Sequence, residues 1–167
     1  AIVLRRLPRA CLDVVGDVRG WEPQGFRGYK DRITRRAQEP DLAGHVRFHG
    51  WLDDGQHVMT TAAVHCAPSA RDLREGFGVV VLEAKAAGVP SVVTPSGALP
   101  ELIDQGVDGW VCEGFDATAV ATGLLYFLEN ADRNAAAGAA ARASLERFSW
   151  DRFADGWSAV LGIGPSA

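Results

Sequence analysis

Residues 64–94 read VHCAPSARDLREGFGVVVLEAKAAGVPSVVT, and the order of apolar runs in that stretch decides the fold. Val64-His65-Cys66-Ala67-Pro68 reads as a short buried strand ended by proline. A loop follows from Ser69 to Gly78. Val79 to Gly88 then reads as a helix with glycine as its C-terminal stop, although three successive valines are modest helix formers. Ser91-Val92-Val93-Thr94 is the next strand. Strands joined through a helix need a crossover, and crossovers give a parallel sheet covered on both faces.

The same alternation extends in both directions. Downstream, Leu99 to Gln105 reads as a short helix and Gly109-Trp110-Val111-Cys112 as a strand. Two alanine-rich helices over about 117–130 and 132–147 follow, then a last helix from Trp150 or Asp151 to about Leu161 and a Gly-Pro-Ser-Ala tail. Upstream, residues 1–8 suit the end of an amphipathic helix and Cys11 to Gly16 a strand. A loop with Gly20, Pro23, Gly25 and Gly28, a polar helix over about 29–38 and the strand Val46-Arg47-Phe48-His49-Gly50 come next, with Asp53 or Asp54 capping a helix to about residue 62. The expectation is α/β: a Rossmann-like, doubly wound parallel sheet in a single domain spanning residues 1–167.

Charge and composition remove several function classes. Seventeen Lys+Arg against 21 Asp+Glu leave a formal charge of −4, with no basic run to follow a nucleic-acid backbone, so nucleic acid is not an expected partner. No apolar run approaches the roughly 20 residues that span a bilayer. Cys11, Cys66 and Cys112 are odd in number, widely spaced and flanked by apolar residues. They read as buried reduced thiols, and a cytoplasmic setting follows. His45 and His49 have the spacing of a helical metal pair, but the alternating Val46-Arg47-Phe48 makes the segment extended, and no metal is expected.

The chemistry is expected in the loop between Pro68 and Gly78. In open parallel sheets ligands bind outside the carboxyl ends of the strands, where this loop lies. Gly76 and Gly78, on either side of Phe77, let the backbone approach a ligand, and a helix beginning at Val79 aims free N–H groups and a positive dipole end at an anion, naturally a phosphate. Glu75 suits sugar hydroxyls, because a carboxylate accepts several hydrogen bonds. Glu83, flanked by Leu82 and Ala84, needs donors if it is buried, and ribose hydroxyls would supply them. Plain turn glycines, a solvated Glu75 and a solvent-facing Glu83 account for the same spacing.

Glu75-Gly-Phe-Gly-Val-Val-Val-Leu-Glu83 resembles the two-glutamate pattern of GT-B fold retaining glycosyltransferases, the large group called family 4. The resemblance continues in order through Ala84-Lys85-Ala86-Ala87-Gly88-Val89-Pro90-Ser91-Val92-Val93, Gly97-Ala98-Leu99-Pro100-Glu101-Leu102-Ile103 and Gly106-Val107-Asp108-Gly109. Val46-Arg47-Phe48-His49-Gly50-Trp51-Leu52 and Phe148-Ser149-Trp150-Asp151 also fit. Over residues 7–160 the chain is similar to the C-terminal, donor-binding domain of such enzymes.

That resemblance implies a hexose transferred with retention from a nucleoside diphosphate sugar to an acceptor, with no cofactor and no metal. It places Glu75 on the donor hexose as the catalytic contact and Gly76, Phe77, Gly78 and Val79 on sugar and diphosphate. Glu83 would hold the ribose, Trp51 and Leu52 the base, and Gly16 the edge of the diphosphate pocket. The family's donor domain opens with a strand followed by an Arg and a Lys, and the chain is expected to begin after them, lacking its first strand. An N-terminal acceptor domain would be missing, the chain alone inactive, and peripheral membrane association expected only through that domain. Arg71 and Arg74 decorate a longer loop than the family's, where solvation is expected. Lys85 stands where an apolar side chain, often Met, is typical, and its stem is expected to snorkel. A non-catalytic nucleotide-sugar-binding domain, and a glycosyl phosphorylase or sugar-phosphate synthase of the same architecture, are the alternatives.

Overall fold

The computed structural model describes residues 1–16, 28–162 and 164. The loop positions Gly20, Pro23 and Gly25, and the tail after Gly164, lie outside the described residues. The chain falls into two compact units, Ala1–Thr61 and Ala62–Ala167.

In the first unit α1 (Ile2–Arg6) precedes β1 (Leu12–Val15), α2 (Tyr29–Ala37), β2 (Val46–Gly50) and α3 (Gly55–Thr61). β1 and β2 pair in parallel, with Leu12 opposite Val46 and Val14 opposite Phe48. Of the two candidate caps Asp54 serves α3: its Oδ1 accepts the His57 N–H at 3.2 Å. Across the strands, Arg47 donates twice to the Asp13 carboxylate at 2.7 Å, and His49 Nε2 lies 2.7 Å from Asp13 Oδ1. Those contacts, Arg47 first, hold the Asp13 carboxyl below the usual carboxylate range. His45 Nδ1 instead lies 3.0 Å from the Ala10 carbonyl, so each histidine has its own partner. Among the described residues no cluster of three or more His, Cys, Asp or Glu side chains is arranged to hold a metal. Cys11 is exposed, which corrects the expectation of three buried thiols. It precedes β1, whose first residue Leu12 is itself exposed, and none of the described residues of this unit is fully buried.

The second unit holds β3 (His65–Ala67), α4 (Val79–Ala87), β4 (Ser91–Val93), a 3-10 turn (Leu99–Leu102), β5 (Gly109–Val111), α5 (Ala117–Leu128), α6 (Ala131–Ser144), a 3-10 turn (Leu145–Phe148) and α7 (Trp150–Leu161). β3, β4 and β5 are parallel neighbours in that order. The all-parallel α/β architecture is as expected, with the strands distributed over two hydrogen-bonded groups, one in each unit. The helix expected over Leu99–Gln105 is only one 3-10 turn, because Ile103 turns extended on the way to β5.

Successive residues of β4 show how the core is built. Val93 packs with Val81, Leu99, Leu102 and Ile103, whereas Val92 packs with Cys112, Phe127 and Ala137. Period-two alternation thus fills a cluster on each face of the sheet. Sequence chemistry sets the helix starts: Asp116 Oδ1 accepts from Thr118 and Ala119 at 2.8 and 3.0 Å to open α5, and Asn130 caps α6. Burial pushes the Cys66 thiol up to about 12 and the His65 imidazole down to about 4.

Lys85 does not snorkel. It is fully buried, its ammonium pairs with Asp108, and it donates to Ser144 Oγ at 2.8 Å. A lysine inside the core needs such partners, and the turn before β5 and the end of α6 provide them.

α7 carries Trp150, Phe153, Trp157, Val160 and Leu161 exposed along its length, the three rings meeting edge to face. Among the described residues no helix is long and apolar enough to cross a membrane.

Candidate functional site

The loop from Pro68 to Gly78 leaves the carboxyl end of β3 and enters α4, as the sequence requires. The segment leaving the neighbouring strand β4 holds its backbone in place. Thr94 Oγ1 donates to the Ser69 carbonyl at 2.7 Å, the buried Ser96 hydroxyl donates to the Leu73 carbonyl, and the Ala98 N–H donates to the Glu75 carbonyl at 3.0 Å. Gly97 lies so close to Glu75 that a Cβ on it would stand 2.0 Å from the Glu75 carbonyl oxygen. The role of Thr94, Ser96 and Gly97 as a clamp is absent from the sequence reading. The polar cluster Thr94-Pro95-Ser96-Gly97 directly after an apolar strand is the signal that could have found it.

Gly78 turns the chain into α4 with φ 83°, and a Cβ there would meet Leu99 Cδ2 at 2.5 Å. Glycine is therefore favoured for its backbone, and any side chain there would also displace the Leu99 side chain. Among the described residues no protein acceptor meets the N–H groups of Gly76, Phe77, Gly78 or Val79. Unpaired backbone donors at the start of a helix are what an anion would take up.

Glu75 is half-buried and Glu83 exposed, and neither carboxylate has a hydrogen bond or ion pair among the described residues. Glu83 is not buried, so the need for donors that burial would create does not arise. It shares the outer face of α4 with Val79 and Val80, while Val81, Ala84 and Lys85 face inward. Phe77 is exposed at 47% with its ring edge to face against Phe148. The structure thus brings Glu75, Gly76, Phe77, Gly78, Val79 and Glu83 together on one loop and helix. Arg71 is placed over the Phe115 ring at 4.9 Å, a cation–π contact rather than simple solvation, and Arg74 is exposed.

Gly16, Trp51 and Leu52 belong to the first unit. Gly16 closes β1 with φ 121° and donates to the Gly50 carbonyl at 2.8 Å. Trp51, directly after β2, is 72% exposed and reaches the Asp53 carboxylate at 3.4 Å; Leu52 is half-buried. All three therefore stand at the carboxyl end of that parallel pair.

The family model for glycosyl transferases group 1 matches residues 2–144. The chain belongs to the group 1 glycosyl transferases. It is 38% identical over 128 residues to a phosphatidyl-myo-inositol mannosyltransferase of Mycolicibacterium smegmatis, covering 74% of this chain and 32% of that protein. It is 41% identical over 153 residues to a D-inositol 3-phosphate glycosyltransferase of Streptomyces scabiei, covering 90% of this chain and 34% of that protein. The chain spans about a third of the length of these curated relatives. Among solved structures it matches the Anabaena protein Alr3699/HepE in complex with UDP at a TM-score of 0.80 and 23% identity, covering 96% of this chain and 44% of that one. The fold of this group 1 glycosyl transferase is thus that of GT-B glycosyltransferases.

Proposed function

We propose that residues 1–167 act as one nucleotide-sugar-binding domain, the C-terminal, donor-binding part of a retaining family 4 glycosyltransferase. In the whole enzyme the bond between the anomeric carbon and the diphosphate oxygen breaks, a bond to the acceptor oxygen forms, and the acceptor's proton leaves with the diphosphate. The N–H groups of Gly76, Phe77, Gly78 and Val79 receive sugar and diphosphate, Glu75 takes the hexose hydroxyls as the catalytic contact, and Glu83 the ribose. Gly16 borders the diphosphate, and Trp51 and Leu52 lie against the base. Stabilisation of the departing diphosphate by fixed backbone dipoles is the main catalytic contribution, with no metal assigned to it.

The observation that carries this reading is the clamped loop whose backbone donors, and the flanking carboxylates of Glu75 and Glu83, have no partner among the described residues. The UDP held by a protein of the same fold, and the mannosyltransferase and inositol glycosyltransferase named among the relatives, support it. A separate acceptor domain completes the enzyme, so this chain alone binds donor with little transfer. The three free cysteines support a cytoplasmic setting. The test is calorimetric titration with UDP-, GDP- and ADP-sugars alongside Glu83→Ala. One donor should bind saturably and the variant at least about tenfold more weakly; no binding, or equal binding by both, overturns the proposal.

A further inference from the structure

Helix α4 is apolar almost all round: of its nine residues only Glu83 and Lys85 are polar. Val81 is fully buried while Val79 is 59% exposed, although the side chains are identical. Turning the helix to bury Val79 would carry Glu83, four residues on, inward with it. Turning it to bury Val80 in place of Val81 would change apolar burial little, so the hydrophobic pattern does not decide between those two rotations. Lys85 supplies what the pattern lacks. Its buried ammonium reaches Asp108 and Ser144 Oγ; Asp108 Oδ1 is held by the Asp104 N–H at 2.8 Å, and Ser144 in turn donates to the Ala141 carbonyl. A rotated α4 would carry the ammonium away and leave the Asp108 carboxylate buried without a cation, a costly arrangement.

We propose that the Lys85–Asp108 pair sets the rotational register of α4 and so turns Glu83 and Val79 outward. Lys85 is then a positioning residue for the donor site. A single buried polar contact fixing register is a known use of such groups. The consequence for donor binding rests on the glycosyltransferase reading above; the register itself does not.

The test separates register from stability. Lys85→Met/Asp108→Leu removes both charges together, so no buried charge is stranded and the melting temperature should stay near that of the unaltered chain. In a Cys11→Ser/Glu83→Cys background, maleimide labelling at residue 83 should slow about tenfold on adding the double change. With Glu83 intact, affinity for GDP-mannose or UDP-glucose, whichever the unaltered chain binds, should fall about tenfold. A purely structural role predicts that labelling and affinity recover with the melting temperature, and that result overturns the proposal. If the double variant does not fold, Ser144→Ala decides: labelling slowed about threefold supports the register, and an unchanged rate refutes it. If even the unaltered chain binds neither donor, the functional reading fails while the labelling result still judges the register.

Discussion

Gly97 packs against the backbone of Glu75 so closely that there is no room for a side chain between them: an added Cβ would stand 2.0 Å from the Glu75 carbonyl oxygen and 2.7 Å from its nitrogen. The Ala98 N–H binds that same carbonyl. The position of one proposed donor-contacting glutamate is thus fixed by the loop after the neighbouring strand.

Gly97→Ala should therefore act on the site as well as on stability. With φ at 55° and no space, the change should lower unfolding free energy by about 3 kcal/mol, read by urea denaturation. In the folded fraction, donor affinity should fall more than for Ser96→Ala, which removes one strap but adds no clash.

Breaking the buried pair from one side should be severe. Lys85→Met leaves Asp108 in the core without its cation and should cost about 3–5 kcal/mol, measured by chemical denaturation. Replacing both partners should restore most of that loss.

Stability should rise with pH between about 4 and 6.5. The buried His65 is held neutral, its folded pKa near 4 against an ordinary 6.5. In that window the unfolded chain binds the extra proton, so stability is fully present above 6.5 and is lost as pH falls toward 4, by up to about 3 kcal/mol. Melting temperatures from pH 4 to 7 should show the slope, and His65→Asn should flatten it.

Asp116→Ala should cost about 1 kcal/mol through loss of the α5 cap while leaving donor affinity unchanged. A change in affinity would place α5 in the site, contrary to the roles given to Glu75 and Glu83.

Much of this was readable from residue order. The apolar runs at 65–67, 91–93 and 109–111 and the glycine stop at Gly88 mark strands and helix because period and backbone freedom are local properties. The placing of Glu75 on a loop and Glu83 on the helix after it was legible for the same reason, while their assignment to a donor came from the family resemblance. The clamp from Thr94, Ser96 and Gly97 was not, since it joins loops some 20 residues apart through backbone carbonyls that every sequence possesses. Nor was the burial of Lys85: its two partners, Asp108 and Ser144, lie 23 and 59 residues downstream, and a lone lysine in an apolar run reads as snorkelling. Cys11 misled because apolar neighbours in sequence, Ala10 and Leu12, are not burial in space.

The most direct measurement is a nitrogen-15 NMR titration of this chain with GDP-mannose and UDP-glucose. The largest shift changes should fall on the amides of Gly76, Phe77, Gly78 and Val79, extend to Glu83, and shrink in Glu75→Gln and Glu83→Gln. Saturable binding whose shifts fall elsewhere and leave residues 75–83 unmoved would contradict the account.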